Sequence, residues 1–191
     1  GFVGTVEDIS AQRNAEEQMI KSERYQRIIN YFATSLLGKN TLHDILNDLT
    51  HNCISNLDFT DCVIYLLDRK SDMLVQKAGF GKKRDQDNRL IGGMNLPVGK
   101  GIVGHVAISK KAEIVSDTTL DARYVIDEEL RLSEITVPII YEGELLGVID
   151  SEHEEKNFFN EDHLRVLSTI ASLAANKIVR VQMEDQLAES L

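Results

Sequence analysis

Three acidic side chains lie within otherwise apolar, strand-forming sequence in the second half of the chain. Glu134 opens the first arm of this stretch, and Asp150 and Glu152 close the second arm. A carboxylate among apolar neighbours is costly unless it is solvated or paired. Such side chains are candidates for binding a cationic group, with Asp150 and Glu152 as the anchors and Glu134 assisting. Solvated or capping acids at strand ends are the alternative.

The turn between the two arms decides whether these carboxylates share one face of a sheet. Residues 134–153 have the pattern of a β-hairpin, because two β-rich runs flank Glu142 and Gly143 and a glycine supplies the positive φ of a tight turn. With a strict two-residue turn, Glu134 lies opposite Ser151 and faces away from Asp150. Only a bulge or a longer turn brings Glu134 and Asp150 to the same face.

No other group of residues forms a complete catalytic or metal-binding pattern. The sequence lacks a Gly-x-Ser-x-Gly elbow, a His-Glu-x-x-His pair and a phosphate loop. The five histidines are scattered, and only His105 is expected beside a pocket, where haem or metal ligation competes with ordinary packing or exposure. Cys53 and Cys62 fall within apolar patterns, so we expect buried, reduced and functionally silent thiols.

A glycine pattern at Gly99, Gly101 and Gly104 has the spacing of a dinucleotide-binding turn, with Asp121 downstream. That motif needs a buried parallel strand before it and a βαβ unit around it. Here the preceding residues include Pro97 and two further glycines, and the following helix is short. We therefore expect these glycines to let a short helix begin tight against the sheet.

Composition and charge exclude several classes of partner. The chain has 191 residues, of which 42% are hydrophobic and 27% charged, as in an ordinary globular domain with helical extensions. A net charge of −10 disfavours nucleic acid. Apolar runs such as residues 63–67 are far shorter than the ~18 residues of a membrane span. We expect a cytoplasmic protein without membrane contact, and we expect the acidic residues 117–129 to form a solvated rim.

Hydrophobic periodicity predicts the elements that position these residues. The expected strands are residues 61–68, 73–78, 91–98, 112–116 and the two arms of the hairpin within 134–153. The expected helices are residues 11–37, 42–57, 100–109 and from about 160 to the C-terminus. Six apolar side chains of the two terminal helices repeat at helical spacing, and we expect them to form the interface of a parallel homodimer. They are Tyr25, Ile28, Phe32, Ala174, Ile178 and Val181.

Five short segments, in this order along the chain, resemble motifs of the GAF family, and the resemblance covers about residues 42–179. The segments that carry the resemblance are residues 100–104, 121–124, 133–138, 146–150 and 159–162. The resemblance implies an α/β (α+β) fold: an antiparallel sheet of about six strands, helices on both faces, and long N- and C-terminal helices. It also implies a small-molecule pocket roofed by residues 100–132. The candidate pocket residues are Ile102, Val103, Tyr124, Glu134, Thr136, Asp150 and Glu152.

The ends of the chain suggest a piece of a larger signalling protein. Residues 1–10 are expected to form a strand similar to the last strand of a PAS domain, with a generic strand-to-helix start as the alternative. Residues 11–38 then form a linker helix, residues 39–180 the GAF domain, and residues 181–191 the start of a C-terminal linker helix.

The resemblance implies a non-catalytic sensory or regulatory module, like those of bacterial sensor histidine kinases. It would bind a small molecule and pass a conformational signal through the terminal helices of a dimer. One alternative is a structural dimerisation module without a ligand. A weaker alternative is a free methionine sulfoxide reductase, whose amine-binding carboxylates would correspond to Glu134, Asp150 and Glu152. Its redox cysteines, however, would fall near Gly93 and Val103, where the sequence has no thiol.

The cofactor stays unknown, because no motif for haem, bilin, cyclic nucleotide or metal is complete. Phe159 and Asp162 echo the end of the cyclic-nucleotide signature of the family, but the Asn-Lys pair that should precede them is missing. Linear tetrapyrrole attachment uses a Cys next to a His in some relatives, and this chain has no such pair.

Overall fold

A computed structural model describes residues 3–81, 95–126 and 129–190 of the chain. The strands form one sheet in the order β3-β2-β1-β6-β5-β4, and every pairing between them is antiparallel. The strands are β1 Cys62–Asp68, β2 Met73–Phe80, β3 Leu96–Pro97, β4 Glu113–Val115, β5 Ser133–Tyr141 and β6 Glu144–His153. The α-helices are α1 Val3–Ser35, α2 Leu42–Asp48, α3 Gly101–Ser109 and α4 Glu161–Glu189. The α+β class predicted from the sequence is confirmed.

The sheet has an apolar core on each face. The larger core packs α1, α2 and α4 against one face, and the smaller core packs α3 against the other. The central strand β1 supplies both, since Cys62, Ile64 and Leu66 belong to the larger core and Val63 and Tyr65 to the smaller. A strand that is apolar on both faces was the expected signature of a covered central strand, and this expectation is confirmed.

The second predicted helix is an irregular helical segment. Its N-cap is Thr41, whose side chain accepts a hydrogen bond from the Asp44 backbone N–H, as the capping pattern predicts. After α2 the chain continues as a π-helical turn, Leu49–Cys53, and a 3₁₀ turn, Ile54–Leu57. The segment ends at Asp58 in the left-handed conformation, and its apolar face lies in the larger core.

Two predicted strands differ from the structure. Residues 3–10 are helical and belong to α1, so the strand expected over residues 1–10 is wrong there, and its similarity to a PAS strand loses its structural basis. A continuous run without an interior proline lets the following helix extend toward the N-terminus. The third strand is described only as Leu96–Pro97, and the rest of the predicted range, including Gly92 and Gly93, lies outside the described residues.

The predicted dimer residues lie inside the chain's own core. Tyr25, Ile28, Phe32, Ala174, Ile178 and Val181 are all buried in the larger core. Helices α1 and α4 pack against each other, and α4 packs on β5, so the apolar stripes are covered within one chain. This packing removes the reason for assigning these six side chains to a dimer interface. No helix in the described ranges is both long enough and apolar enough to cross a membrane.

Gly147 tests how tightly β6 packs on β1. A methyl group at this position would lie 2.1 Å from the Tyr65 carbonyl oxygen, whereas nothing lies within 4 Å of the same position on Gly38. We expect Gly147→Ala to lower the free energy of unfolding by about 1–3 kcal/mol through overpacking. The matched control, Gly38→Ala, should stay within about 0.5 kcal/mol of the wild type. Urea denaturation measures both, and equal stability of the two variants would contradict the packing described for this strand.

The two cysteines provide a second test of the larger core. Cys53 and Cys62 are both buried there, and burial raises the pKa of each thiol well above its ordinary value of 9.0. We expect neither thiol of the folded protein to react with a bulky alkylating reagent, and both to react in denaturant. Mass spectrometry of timed samples measures the labelling. Rapid labelling of the native protein would show that this part of the core opens.

Candidate functional site

The candidate site is a small cavity between α3 and the sheet. Its volume is about 30 Å³, which is room for about one water molecule. The described lining comprises Tyr65, Leu96, Gly101, Ile102, Val103, Val125, Glu134, Asp150 and Glu152. Five of the seven predicted pocket residues are in this set. The other two, Tyr124 and Thr136, contact its carboxylates through hydrogen bonds.

Glycines bring the start of α3 close to the preceding turn, as expected. Gly99 and Gly101 have φ values of +90° and +72°, where side chains are disfavoured. A methyl group on Gly104 would lie 2.7 Å from the Gly99 backbone nitrogen, and Gly99 N–H donates to the Gly104 carbonyl at 3.0 Å. The adjoining strand β3 is antiparallel to β2. An antiparallel strand at this place differs from the βαβ unit of a dinucleotide site. The glycines are therefore explained by the close packing of the start of α3 against the sheet.

A bulge in the hairpin aligns the three carboxylates. The β5–β6 register shifts between Ile139 and Ile140, and as a result Glu134 lies opposite Glu152 and Thr136 opposite Asp150. Period-two alternation then places all four side chains on one face of the sheet. The sequence did not decide whether Glu134 and Asp150 share a face of the sheet, and the shifted register shows that they do.

All three carboxylates are buried, and two of them lie within hydrogen-bond distance of one hydroxyl group. Glu134, Asp150 and Glu152 are only 3%, 8% and 5% exposed. Thr136 Oγ1 lies 3.0 Å from Glu134 Oε1 and 2.9 Å from Asp150 Oδ1. Burial of this extent rules out the alternative that these acids are solvated at strand ends.

Tyr124 connects the third carboxylate to a second buried network. Its hydroxyl donates to Glu152 Oε1 at 2.8 Å and accepts from the Arg131 backbone N–H at 3.0 Å. The buried Arg131 guanidinium lies 3.6 Å from Asp61 and 2.8 Å from Glu154. Asp61 Oδ1 in turn accepts from the Glu152 backbone N–H at 3.0 Å. Glu152 is therefore held through both its side chain and its backbone.

Sequence analysis did not find Arg131 or Asp61. Arg131 lies apart from any motif, and Asp61 precedes an apolar strand where it resembles a polar boundary residue. The available signal was weak: a single acid at the start of a strand that is otherwise apolar on both faces. Only the tertiary fold brings these two residues within ion-pair distance of each other.

Ion pairs anchor the segment that carries Tyr124. The Arg123 guanidinium contacts Asp121 at 2.6 Å and also contacts Glu113 of β4. Asp117, at the start of the same segment, lies 2.7 Å from Lys156. These acids are thus ion-paired within the fold, whereas the sequence predicted a merely solvated rim.

Burial and mutual repulsion change the acidity of the site. Burial, together with the negative charges of Asp150 and Glu152, raises the pKa of Glu134 well above its ordinary value of 4.5. Burial and the neighbouring Glu152 likewise raise the pKa of the Tyr124 hydroxyl, which stays a hydrogen-bond donor at neutral pH. The arrangement therefore presents carboxylates and hydroxyl groups to the cavity, which is chemistry suited to a cation.

The described lining residues of the cavity include no thiol. Cys62 and Cys53 belong to the core on the opposite face of the sheet, and Val103 lies where a reductase would need one of its thiols. The second such position, Gly93, is outside the described residues. His105 is exposed on α3, and no group of acidic, histidine or cysteine side chains in the described ranges could hold a metal ion.

Two relatives share sequence with the chain. Protein YtsP of Bacillus subtilis (strain 168) is 28% identical over 105 residues, which cover 51% of this chain and 64% of the relative. That match spans less than two thirds of YtsP. GAF domain-containing protein A of Dictyostelium discoideum is 24% identical over 156 residues, which cover 82% of this chain and 93% of the relative.

Similar folds occur in solved structures of proteins with different descriptions. The free methionine-R-sulfoxide reductase from Neisseria meningitidis, solved in complex with its substrate, has a TM-score of 0.76 at 20% identity, covering 86% of this chain and 93% of that one. The GAF domain of a phosphoenolpyruvate-protein phosphotransferase (ptsP) from Coxiella burnetii also has a TM-score of 0.76 at 20% identity, covering 86% and 98%. At this identity the likeness shows the fold alone.

The family model described as GAF domain matches residues 39–179. This range contains the whole sheet, α3 and the carboxylate site, and it covers most of the chain. The resemblance inferred from the sequence motifs is thereby confirmed at the level of the family: the chain belongs to the GAF domain family.

Proposed function

We propose that this GAF domain is a non-catalytic sensory module that binds a small molecule through an ammonium group. The observation that carries the proposal is the buried cluster of Glu134, Asp150 and Glu152 on one side of the cavity. Carboxylates brought together away from water repel one another, and a cation between them would offset that cost. Asp150 and Glu152 are the anchors in this proposal, and Glu134 assists.

The size of the cavity favours a second candidate, a dimerisation module without a ligand. A space of about 30 Å³ does not admit a metabolite. Ligand binding therefore requires the roof formed by α3 and the segment around Val125 to move away from the sheet. The fold is compatible with such use, because the similar reductase from Neisseria meningitidis was solved in complex with its substrate.

The reductase alternative lacks its nucleophile. Attack on a sulfoxide requires a thiolate near the bound substrate, and thiols with raised pKa values in the opposite core do not supply one. We therefore propose a regulatory role instead of an enzymatic one. Turnover of free methionine sulfoxide by the purified chain would overturn this part of the proposal.

A stack of rings gives the pocket a physical connection to the terminal helices. His153 follows Glu152 in β6, and its ring stacks on Phe158 with centroids 3.5 Å apart. Phe158 stacks on His163 of α4 at 5.5 Å, and His163 contacts Tyr25 of α1 at 6.0 Å. A change at Glu152 can reach both helices through these contacts. This route supports the passage of a conformational signal to the terminal helices; the proposed place in a larger cytoplasmic signalling protein, such as a bacterial sensor histidine kinase, rests on the family resemblance.

Calorimetry with amino acids and simple amines tests the proposed ligand class. We expect an amine to bind the wild type and to lose at least about tenfold in affinity in an Asp150→Asn, Glu152→Gln variant, because hydrogen bonds to charged groups contribute about 1.5–3 kcal/mol. Glu144→Gln is the matched control, since this exposed carboxylate lies at the far end of β6 and pairs with Arg69. Equal binding to all three proteins, or a natural ligand that is anionic, would show that the carboxylates do not anchor the ligand. Absence of any binding would favour the dimerisation module.

The proposed parallel homodimer needs a surface other than the buried stripes. Exposed apolar side chains remain on the terminal helices: Ile20 of α1, and Met183 and Leu187 near the end of α4. We expect sedimentation to show a dimer for the wild type and a monomer for a Met183→Glu, Leu187→Glu variant. Leu120→Glu, which changes an exposed leucine outside both helices, should stay dimeric. A monomeric wild type would contradict the dimer.

A further inference from the structure

If Glu134 and Asp150 are both ionised, the single hydroxyl hydrogen of Thr136 cannot form a full hydrogen bond to each of them. The Thr136 hydroxyl is fully buried and lies within hydrogen-bond distance of both Glu134 Oε1 and Asp150 Oδ1. A hydroxyl group has one hydrogen to donate, and an ionised carboxylate can only accept. One of the two contacts would then bring two oxygen atoms together with no hydrogen between them. A proton on one carboxyl group removes this conflict.

We propose that Glu134 holds a proton in the empty pocket, donates it to Thr136, and releases it when a cationic group binds. The chain of donors is then Glu134 O–H to Thr136 Oγ1, and Thr136 O–H to Asp150 Oδ1. The first half of the inference concerns the empty site, and the second half rests on the proposed function.

Glu134 is the more deeply buried of the two acids that contact Thr136, at 3% exposed against 8% for Asp150, and this burial identifies it as the carrier of the proton. The titratable groups acting on it are acids: Asp150 and Glu152 from β6, and Tyr124 from the segment before β5. Helix α3 lines the cavity with the apolar Ile102 and Val103. Burial and the two neighbouring negative charges raise the pKa of Glu134.

Among the residues that the structure describes, the remaining neighbours of Glu134 bring no cation to it. β4 pairs Val115 with Glu134. Beyond Tyr124, the guanidinium of Arg131 pairs with Asp61 and Glu154. A hydrogen from Thr136 would favour ionised Glu134, but the same hydrogen is also within reach of Asp150. With Glu134 as the donor, both contacts of Thr136 are satisfied.

Binding of an ammonium group changes the charge balance of the site. The ligand brings one positive charge, and Glu134 gives up one proton to solvent as its carboxyl group becomes a carboxylate. The cation takes over the stabilising role of that proton between the acids. Affinity for a permanently charged cation should therefore rise with pH until Glu134 is ionised in the empty protein.

Carbon-13 NMR of the carboxyl groups tests the proton in the empty site without any ligand. In protein labelled at glutamate side chains, the Glu134 resonance is assigned by its absence in Glu134→Gln. We expect this resonance to remain at the protonated position at pH values where an ordinary exposed glutamate is already ionised. Titration of Glu134 together with the exposed glutamates would overturn the inference.

Thermal unfolding gives a second readout that does not depend on a ligand. The pKa of Glu134 is raised in the folded state, so between the ordinary value of 4.5 and the raised value the folded state binds more protons than the unfolded state. The free energy of unfolding therefore falls as the pH rises from the lower of these two pKa values to the higher. Glu134→Gln keeps the shape of the protonated acid and lacks this titration. We expect the wild type to lose more in melting temperature than Glu134→Gln between pH 5 and pH 8. Equal losses would contradict the stored proton.

Calorimetry with tetramethylammonium and methylammonium chloride as probes tests proton release. Titrations at pH 7 in two buffers of different ionisation enthalpy should show release of about one proton per bound cation for the wild type and none for Glu134→Gln. Binding without proton release would overturn the inference while leaving the proposed function in place. If neither probe binds either protein, the release step and the proposed ligand class both fail, and the NMR titration alone decides whether Glu134 stores a proton.

Discussion

The register shift between Ile139 and Ile140 is the constraint on which the rest of the site depends. One extra residue in β6, Leu146, reverses the face of every later side chain of that strand relative to β5. Without it, Asp150 and Glu152 would lie on the opposite face from Glu134 and Thr136, in the core beneath the terminal helices, where the larger cluster of apolar side chains is packed. With it, the three carboxylates and Thr136 lie together on the face covered by α3.

Concentrating acids on one face creates a desolvation cost that the surrounding structure must offset. Glu152 is supported by the Tyr124 hydroxyl and by Asp61, and Arg131 supplies a buried positive charge to Asp61. A buried ion pair is weak support for stability by itself, but a buried charge without hydrogen bonds is much worse. Arg131 and Tyr124 precede β5 and belong to the segment that roofs the pocket. The same contacts therefore hold the roof against the sheet and hold Glu152 in place.

The opposite face of the sheet is covered by parts of two long helices, the C-terminal part of α1 and most of α4. α1 and α4 cover the core side of the central strands and bury the residues that give each helix its apolar stripe. His153 and the Phe158 ring lie where β6 leaves the sheet and the chain turns into α4. Pocket and helices are thus joined at one end of a single strand. This arrangement places the candidate site and the two long helices on opposite sides of the sheet.

Local patterns in the sequence determined the number and type of most elements. These patterns are a strand that is apolar on both faces, apolar residues at helical spacing, and capping residues. Each depends only on residues that are close in the sequence, so each can be interpreted without knowing the fold. They predicted β1, the hairpin, α3, α4 and the burial of both cysteines. Only the tertiary structure decided which face Glu134 occupies, that Arg131 and Asp61 support Glu152, and that Tyr25 and Ile178 pack within one chain. A one-residue bulge has no periodic signature, and an apolar stripe is the same whether its partner lies in the same chain or in another. Residues 3–10 were misjudged because strand propensity is weak beside the continuation of a long helix.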